Sequence, residues 1–460
     1  MVRYCVWGAR ACVLALVILA APALLAAEKA APGKGAYPRS LGEMKAILSL
    51  LEPARPKTIF EAMPAGWGAG RLTPAAQEAF LRRMQQYRFL CGVAYEDLSI
   101  DEEYAKLAQH AALVCAKLNQ MTHTPTKPAG MPEDIYQLSR KGAGESNLYT
   151  GLTDSIACVD GWMDDSDTRN IDRVGHRRWI INPYMTKSAF GRVGDYAAMY
   201  AFDSARGEGA EWDHVAYPCR GYMPLEFFGA RHAWSVSLNK AHYKPITKGT
   251  VRVTLTAADA SGNAAGEPLK FDYFNVETSN YGCGPCIIFR PAALALKEGK
   301  YRVKIDGLQK VSGALADFSY LVHFVKIKDA PDGPEAQTAS TAFMEKRLAA
   351  VMALDDKAAR LTALVEFSEH PALPRCDAML AAKVRHAVTE LTKEPELRKE
   401  MEARQTYRRV QDFEAQAGGN KDKLAQAGAG YRDLAARFKD TRAGKLAQAD
   451  FERIKGQLGL

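Results

Sequence analysis

Hydrophobic and polar positions divide this chain into stretches of different period. From Thr73 the period is helical: Thr73-Pro74-Ala75-Ala76 supplies an N-cap and then proline at the first helical position, and Phe80, Met84, Tyr87 and Phe89 follow at rough helical spacing. A second helix is predicted over 101–121, where Tyr104, Leu107, Ala111, Val114, Cys115 and Leu118 share one face. A third begins at Thr153 or Asp154 and carries Ile156, Val159, Trp162 and Met163, and the glycines and apolar residues of 190–202 suit strands and a hairpin. Between 231 and 328 the period drops to two. Trp234 to Leu238, Val251 to Leu255, Tyr301 to Ile305 and Phe318 to Phe324 alternate, with Ser261-Gly262-Asn263 and Glu298-Gly299-Lys300 as turns. Short alternating strands between turns predict a β-sandwich of immunoglobulin type.

The flanks read differently. Residues 28–72 form a mixed lead-in with one helix over 41–51, stopped by Pro53. Residues 329–340, with Pro331, Gly333 and Pro334, read as a linker, and 341–460 as alanine-rich charged helices cut by Pro371, Pro374, Pro395 and Gly418-Gly419. Tyr431 to Ala447 has the look of one helix-turn-helix unit of tetratricopeptide kind. The first 27 residues have the layout of a signal peptide: Arg3 and Arg10 without an acid, a short apolar run interrupted by Pro22, and Ala26-Ala27 at its end. The run is short for a membrane span, and no later run is long enough. The compartment expected is therefore secreted, periplasmic or extracellular.

Composition adds exclusions. The 460 residues exceed one ordinary core, and 25% charged residues exclude wholesale disorder. Cleavage of the leader takes two positive charges and two of the nine cysteines, lowering the net charge from +8 to +6 and leaving seven cysteines, an odd and sparse set. With no arginine block or basic-aromatic stripe, nucleic acid is not an expected partner. Cys283-Gly284-Pro285-Cys286 has the spelling of a dithiol redox site, but that chemistry needs a helix N-terminus, and Ile287 to Pro291 reads as a strand. A disulfide or a tight strand-entry turn fits it better.

Candidate chemistry lies between 109 and 183. His123 follows the second helix, Glu145 stands in Gly144-Glu145-Ser146-Asn147, Asp165 closes Trp162-Met163-Asp164-Asp165, and His176 opens Gly175-His176-Arg177-Arg178-Trp179-Ile180-Ile181-Asn182-Pro183. Two imidazoles and two carboxylates suit a divalent ion such as zinc, or acid/base work. Each also has a plain structural reading. A histidine just past a helix is favoured by the dipole alone, Glu145 can cap a helix or pair with Arg177, and Asp165 can be a solvated helix-end group.

These four pieces, in this order, resemble the CAP superfamily, shared by cysteine-rich secretory proteins, antigen 5 and pathogenesis-related 1 proteins. The Gly-His-Arg-Arg-Trp-Ile-Ile-Asn-Pro stretch resembles bacterial members. The likeness covers residues 73–228, followed by the sandwich at 229–328. It implies an α-β-α sandwich with a shallow cleft, an α+β fold overall, His123 and His176 as cleft histidines, and Glu145 as the first cleft acid. The second acid is usually a glutamate; here that place holds Asp165, one methylene shorter. Ser146 also stands where asparagine is usual. The function implied is an exported, non-catalytic binding module whose cleft takes a divalent metal, or a small-molecule, lipid or cell-envelope ligand, with the C-terminal helices open to a protein partner. The competing expectation is a metal-dependent peptidase using Glu145 as general base, although no His-Glu-x-x-His is present.

Overall fold

The computed structural model describes residues 38–459, apart from 57, 152, 153, 330–332, 371, 418 and 419. The expected signal peptide and Thr153 lie outside the described residues. In chain order the elements begin with α1 (Leu41–Leu50), β1 (Phe60–Ala62), β2 (Arg71–Leu72), α2 (Pro74–Leu90), β3 (Ser99–Ile100) and α3 (Glu102–Leu118). Then come α4 (Glu133–Gly144), β4 (Ser146–Thr150), α5 (Ser155–Asp164), α6 (Gly175–Ile180), β5 (Lys187–Ser188), β6 (Phe190–Val193) and β7 (Tyr196–Tyr200). A run of strands follows: β8 (His214–Tyr217), β9 (Gly221–Pro224), β10 (Trp234–Leu238), β11 (Arg252–Ala258), β12 (Phe271–Glu277), β13 (Cys286–Pro291), β14 (Gly299–Asp306) and β15 (Phe318–Val325). Six helices close the chain: α7 (Pro334–Met352), α8 (Lys357–Ser368), α9 (Ala378–Leu391), α10 (Pro395–Ala415), α11 (Lys421–Arg437) and α12 (Arg442–Leu458).

The first layered unit is an α-β-α sandwich. Its sheet has the order β4-β7-β6, all antiparallel. Alternation along β7 sends Ala198 into a small-residue core with Ala108, Ala111, Val114 and Ala143 of α3 and α4. Ala197 and Met199 point the other way, into the core that holds Phe80 and Met84 of α2 and Val159 and Trp162 of α5. Close approach is what makes the small residues necessary. A Cβ on Gly191 would lie 2.2 Å from the Ala108 carbonyl carbon, and one on Gly142 would lie 2.1 Å from the Leu107 oxygen. The caps agree with the sequence signals: Thr73, Asp101 and Asp154 each accept backbone N–H bonds at the starts of α2, α3 and α5. Helices α4 and α6 and strand β4 were not expected. Residues 133–144 carry a helical polar face, and β4 takes its order from pairing with β7.

Two four-stranded sheets, β12-β13-β10-β8 and β11-β14-β15-β9, form the β-sandwich. Their inner faces meet through Trp234, whose ring lies 6.0 Å from Phe324 and 6.3 Å from Tyr301. Its pairings are antiparallel except β9 with β15, which is parallel. The sheets draw β8 and β9 from before position 229, so the boundary expected at 228/229 falls after their first two strands. Short strands at a proline-rich crossing carry too little alternation to be assigned from sequence.

The tail is helical, as expected, but starts inside the stretch read as linker. Gly333 and Pro334 are the N-cap and first turn of α7, a normal use of proline that composition alone reads as a break. Phe343 and Met344 of α7 share the main core with Met44, Ile47 and Leu48 of α1. Helices α10 to α12 keep a separate core around Tyr431, Leu434, Phe438 and Ala447. The buried Glu400 accepts the N–H groups of Arg442 and Ala443 at 2.7 and 3.0 Å, placing a carboxylate at the N-terminus of α12.

Candidate functional site

His123 lies in the loop after α3, whose end is closed by Asn119 in the left-handed region (φ 48°). Its Nδ1 is 2.9 Å from the Ala143 carbonyl oxygen. A carbonyl only accepts, so Nδ1 carries the proton and the Nε2 lone pair remains for solvent or ligand. Glu145 caps the C-terminus of α4, where its N–H bonds to Lys141, and its Oε2 accepts the Tyr200 hydroxyl at 2.9 Å. Tyr200 stacks on Tyr104 at 3.9 Å, and the Tyr104 hydroxyl donates to the buried Asp203 at 3.1 Å. Burial, helped by Asp203, pushes the Tyr104 phenol up to about 12. Burial and the hydrogen bond to Glu145 raise Tyr200 as well. Both phenols therefore stay protonated donors at neutral pH.

His176 sits in the first turn of α6, and Asp165 holds it. Asp165 Oδ2 accepts the backbone N–H groups of His176 and Arg177 at 2.9 and 3.3 Å. Its Oδ1 lies 2.8 Å from His176 Nδ1. The Asp165 side chain is 1% exposed and that of His176 21%, so the acid is enclosed and the imidazole is partly exposed. Asp165 reaches this position through a left-handed backbone (φ 44°), a conformation aspartate tolerates better than most residues. The shorter acid thus serves as orienter and cap, with both oxygens engaged. Ser146 makes no hydrogen bond with its buried hydroxyl among the described residues. Asn147, one place on, donates to the His176 carbonyl at 3.0 Å and ties α6 to β4.

The two arginines after His176 face away from the cleft and are fully buried. Arg177 donates to the carbonyls of Met163 (2.7 Å) and Ala233 (2.8 Å), to Ser235 Oγ (3.0 Å) and to the Asp164 carbonyl, with its guanidinium 4.6 Å from the Tyr217 ring. Arg178 collects the carbonyls of Ser279, Cys283 and Gly284 at 2.6, 2.8 and 2.6 Å. Cys283-Gly284-Pro285-Cys286 is therefore a strand-entry turn leading into β13. Cys283 and Cys286 are buried free thiols, and burial raises the Cys286 thiol pKa. Arg88, also fully buried, donates to the carbonyls of Ala94, Ile180, Asn182 and Met185, and burial pushes its pKa down to about 9.

The histidine geometry matches one half of what a metal needs. Both Nδ1 atoms are fixed by acceptors, which leaves Nε2 as the ligating atom. The other half is missing: among the described residues no group of three or more His, Cys, Asp or Glu side chains comes together as a metal-ligand set. Sequence reasoning missed Tyr104, Tyr200, Asn147 and Asp203. Tyr104 lies on the face that the helical period groups with Leu107 and Ala111, and nothing in the spacing links it to Tyr200 or Glu145.

Comparison with known families agrees with the fold. Residues 81–203 match the family model CAP, the cysteine-rich secretory protein family. The match runs from within α2 to Asp203 and contains all four candidate residues, so the chain carries a CAP domain joined to a β-sandwich and a helical tail. No curated protein and no solved structure matches the chain. Among the described residues, no helix is long and apolar enough to cross a membrane.

Proposed function

We propose that this chain is an exported CAP-domain binding protein, with a cleft that presents His123 Nε2, His176 Nε2 and the Glu145 carboxylate to a small ligand. The observation that carries this reading is the consumption of Asp165. Its carboxylate fixes His176 and caps α6, so it points one nitrogen outward without adding a fourth ligand. A divalent ion such as zinc enters this reading only as a guest at the two imidazole Nε2 atoms, because Glu145 already accepts the Tyr200 hydroxyl and the three side chains do not stand together as a metal-ligand set among the described residues. No hydrogen bond among the described residues joins either histidine to a serine, threonine or cysteine, so neither has a side-chain nucleophile to activate. The separate core of α10 to α12, with exposed Phe413 and Leu446, supports a protein partner on the tail.

The test is metal content and zinc titration calorimetry of the purified chain, beside His123→Ala and His176→Ala and a peptide-library digest. The binding reading expects zinc or ligand uptake that both substitutions weaken, with no turnover. Zinc-restored peptide cleavage, lost in both variants, overturns it in favour of a metal-dependent peptidase.

A further inference from the structure

A cavity of about 290 Å³ opens between the CAP domain and the β-sandwich, lined by neither of the two histidines. It is small for a ligand site, near the roughly 300 Å³ lower end, which suits a single ring of a longer molecule. Its walls are aromatic. Trp179 stacks on Phe202 with ring centroids 4.7 Å apart, and Tyr184 meets Trp212 edge-on at 6.0 Å. Phe202 is 49% exposed, unusual for a large apolar ring whose neighbour Asp203 is buried. Trp179 is closely packed, since a Cβ on Gly282 would lie 2.6 Å from its ring, and Arg88 donates to the carbonyls on either side of Ile181.

Asn182 is spent at this cavity, donating to the Asp203 carbonyl and accepting the Tyr184 N–H, but several other polar groups there are not. The Tyr184 hydroxyl, Ser204 hydroxyl and Asn280 amide have no partner among the described residues, and neither has the Lys240 ammonium; the Trp212 indole N–H is buried without an acceptor. The lone carboxylate of the wall, Asp203, is already occupied by Tyr104 and by the N–H groups of Thr186 and Lys187. Flat apolar faces combined with groups that both donate and accept match one chemistry closely. A pyranose ring packs its C–H face on an aromatic ring and turns hydroxyls that donate and accept toward the rim. A hydrocarbon chain would strand these polar groups, and a nucleic acid strand would require more than one cation.

We propose that the cavity walled by Trp179, Phe202, Tyr184 and Trp212 is a saccharide-binding subsite, taking a neutral or acidic sugar unit of a glycan chain. The cavity adjoins the CAP site through Asp203, Tyr104, Tyr200 and Glu145, yet shares neither histidine, so the two sites are separable.

The experiment titrates the purified full chain with chitopentaose, cellopentaose and tri-galacturonate, read by tryptophan quenching and calorimetry. One or more should bind with one-to-one stoichiometry. Phe202→Ala should weaken it at least about fivefold, equivalent to ~1 kcal/mol, and His123→Ala should leave it unchanged. Should Phe202→Ala unfold, Asn280→Ala, at an exposed position, is read in its place with the same threshold. Failure of all three probes to bind overturns the proposal, as does binding that survives the cavity substitution or is lost with His123→Ala.

Discussion

Asp165 and His176 are joined twice, once through the imidazole Nδ1 at 2.8 Å and once through the His176 backbone N–H at 2.9 Å. One carboxylate therefore sets both the ring and the helix that carries it. This double contact predicts that Asp165→Asn and Asp165→Ala fail differently. Asparagine tolerates the left-handed backbone and can keep the cap, but presents an amide in place of one carboxylate oxygen. Nitrogen NMR of the His176 ring should then show the Nδ1-protonated tautomer losing population at an almost unchanged unfolding midpoint. Alanine loses the cap as well and should cost about 1–3 kcal/mol in urea unfolding.

Arg177 joins the end of α5 to β10 across the boundary between CAP domain and sandwich. Lysine cannot reproduce a planar fork that serves Met163, Ala233 and Ser235 at once. Arg177→Lys should destabilise by about 3–5 kcal/mol, the range for breaking a buried charged contact. If the guanidinium is the fastener, calorimetric scans of the variant resolve separate transitions for the two domains.

Gly142 and Gly191 set how closely α3 approaches α4 and β6. A Cβ at either position would fall 2.1–2.2 Å from backbone atoms that cannot swing away. Gly142→Ala and Gly191→Ala should each cost at least about 1–3 kcal/mol, the usual cost of overpacking. Gly209→Ala, with open space around the position, should leave the thermal midpoint within a degree or two and serves as the control.

His232 packs against Phe228 and Tyr217, with Nε2 3.4 Å from Asp164 and Arg177 nearby. Burial depresses its pKa from the ordinary 6.5 to about 4; Asp164 and Asp160 oppose the shift and Arg177 adds to it. A histidine kept neutral in the fold and free to protonate when unfolded contributes stability that is complete above about 6.5. That contribution is lost as pH falls toward 4. The loss should be roughly 1–3 kcal/mol, and urea midpoints measured from pH 7 to pH 4 should fall less steeply for His232→Gln.

Cys283 and Cys286 are enclosed by the turn that Arg178 holds, and burial disfavours the Cys286 thiolate. The native chain should label at these positions with a thiol reagent at pH 7 only on the timescale of unfolding, and should not reduce insulin disulfides. Rapid stoichiometric labelling of the folded chain would show a reactive dithiol instead.

Local chemistry explains which parts of this molecule could be read in advance. Thr73 with Pro74, and Asp101 and Asp154 ahead of apolar periodic runs, fix helix starts by nearest-neighbour hydrogen bonding, which a linear sequence displays. The period-two runs at Trp234, Val251, Tyr301 and Phe318 display the sandwich in the same way. His123, Glu145, Asp165 and His176 were picked out by the order of their motifs, and of the four the structure joins Asp165 to His176 by hydrogen bonds. Their division of labour was not legible in that order. Asp165 became an orienting group because a left-handed residue at the end of α5 turned its carboxylate onto the first turn of α6. Glu145 met Tyr200 because β4 and β7 pair, and the arginines of the His-Arg-Arg stretch turned into the domain boundary because they reach carbonyls more than fifty residues away, at Ala233 just before β10 and at Cys283. Periodicity records which face of an element is buried. Which distant residue meets that face, and which side chain is left open to a ligand, is set by packing between elements, and only the tertiary structure decides it.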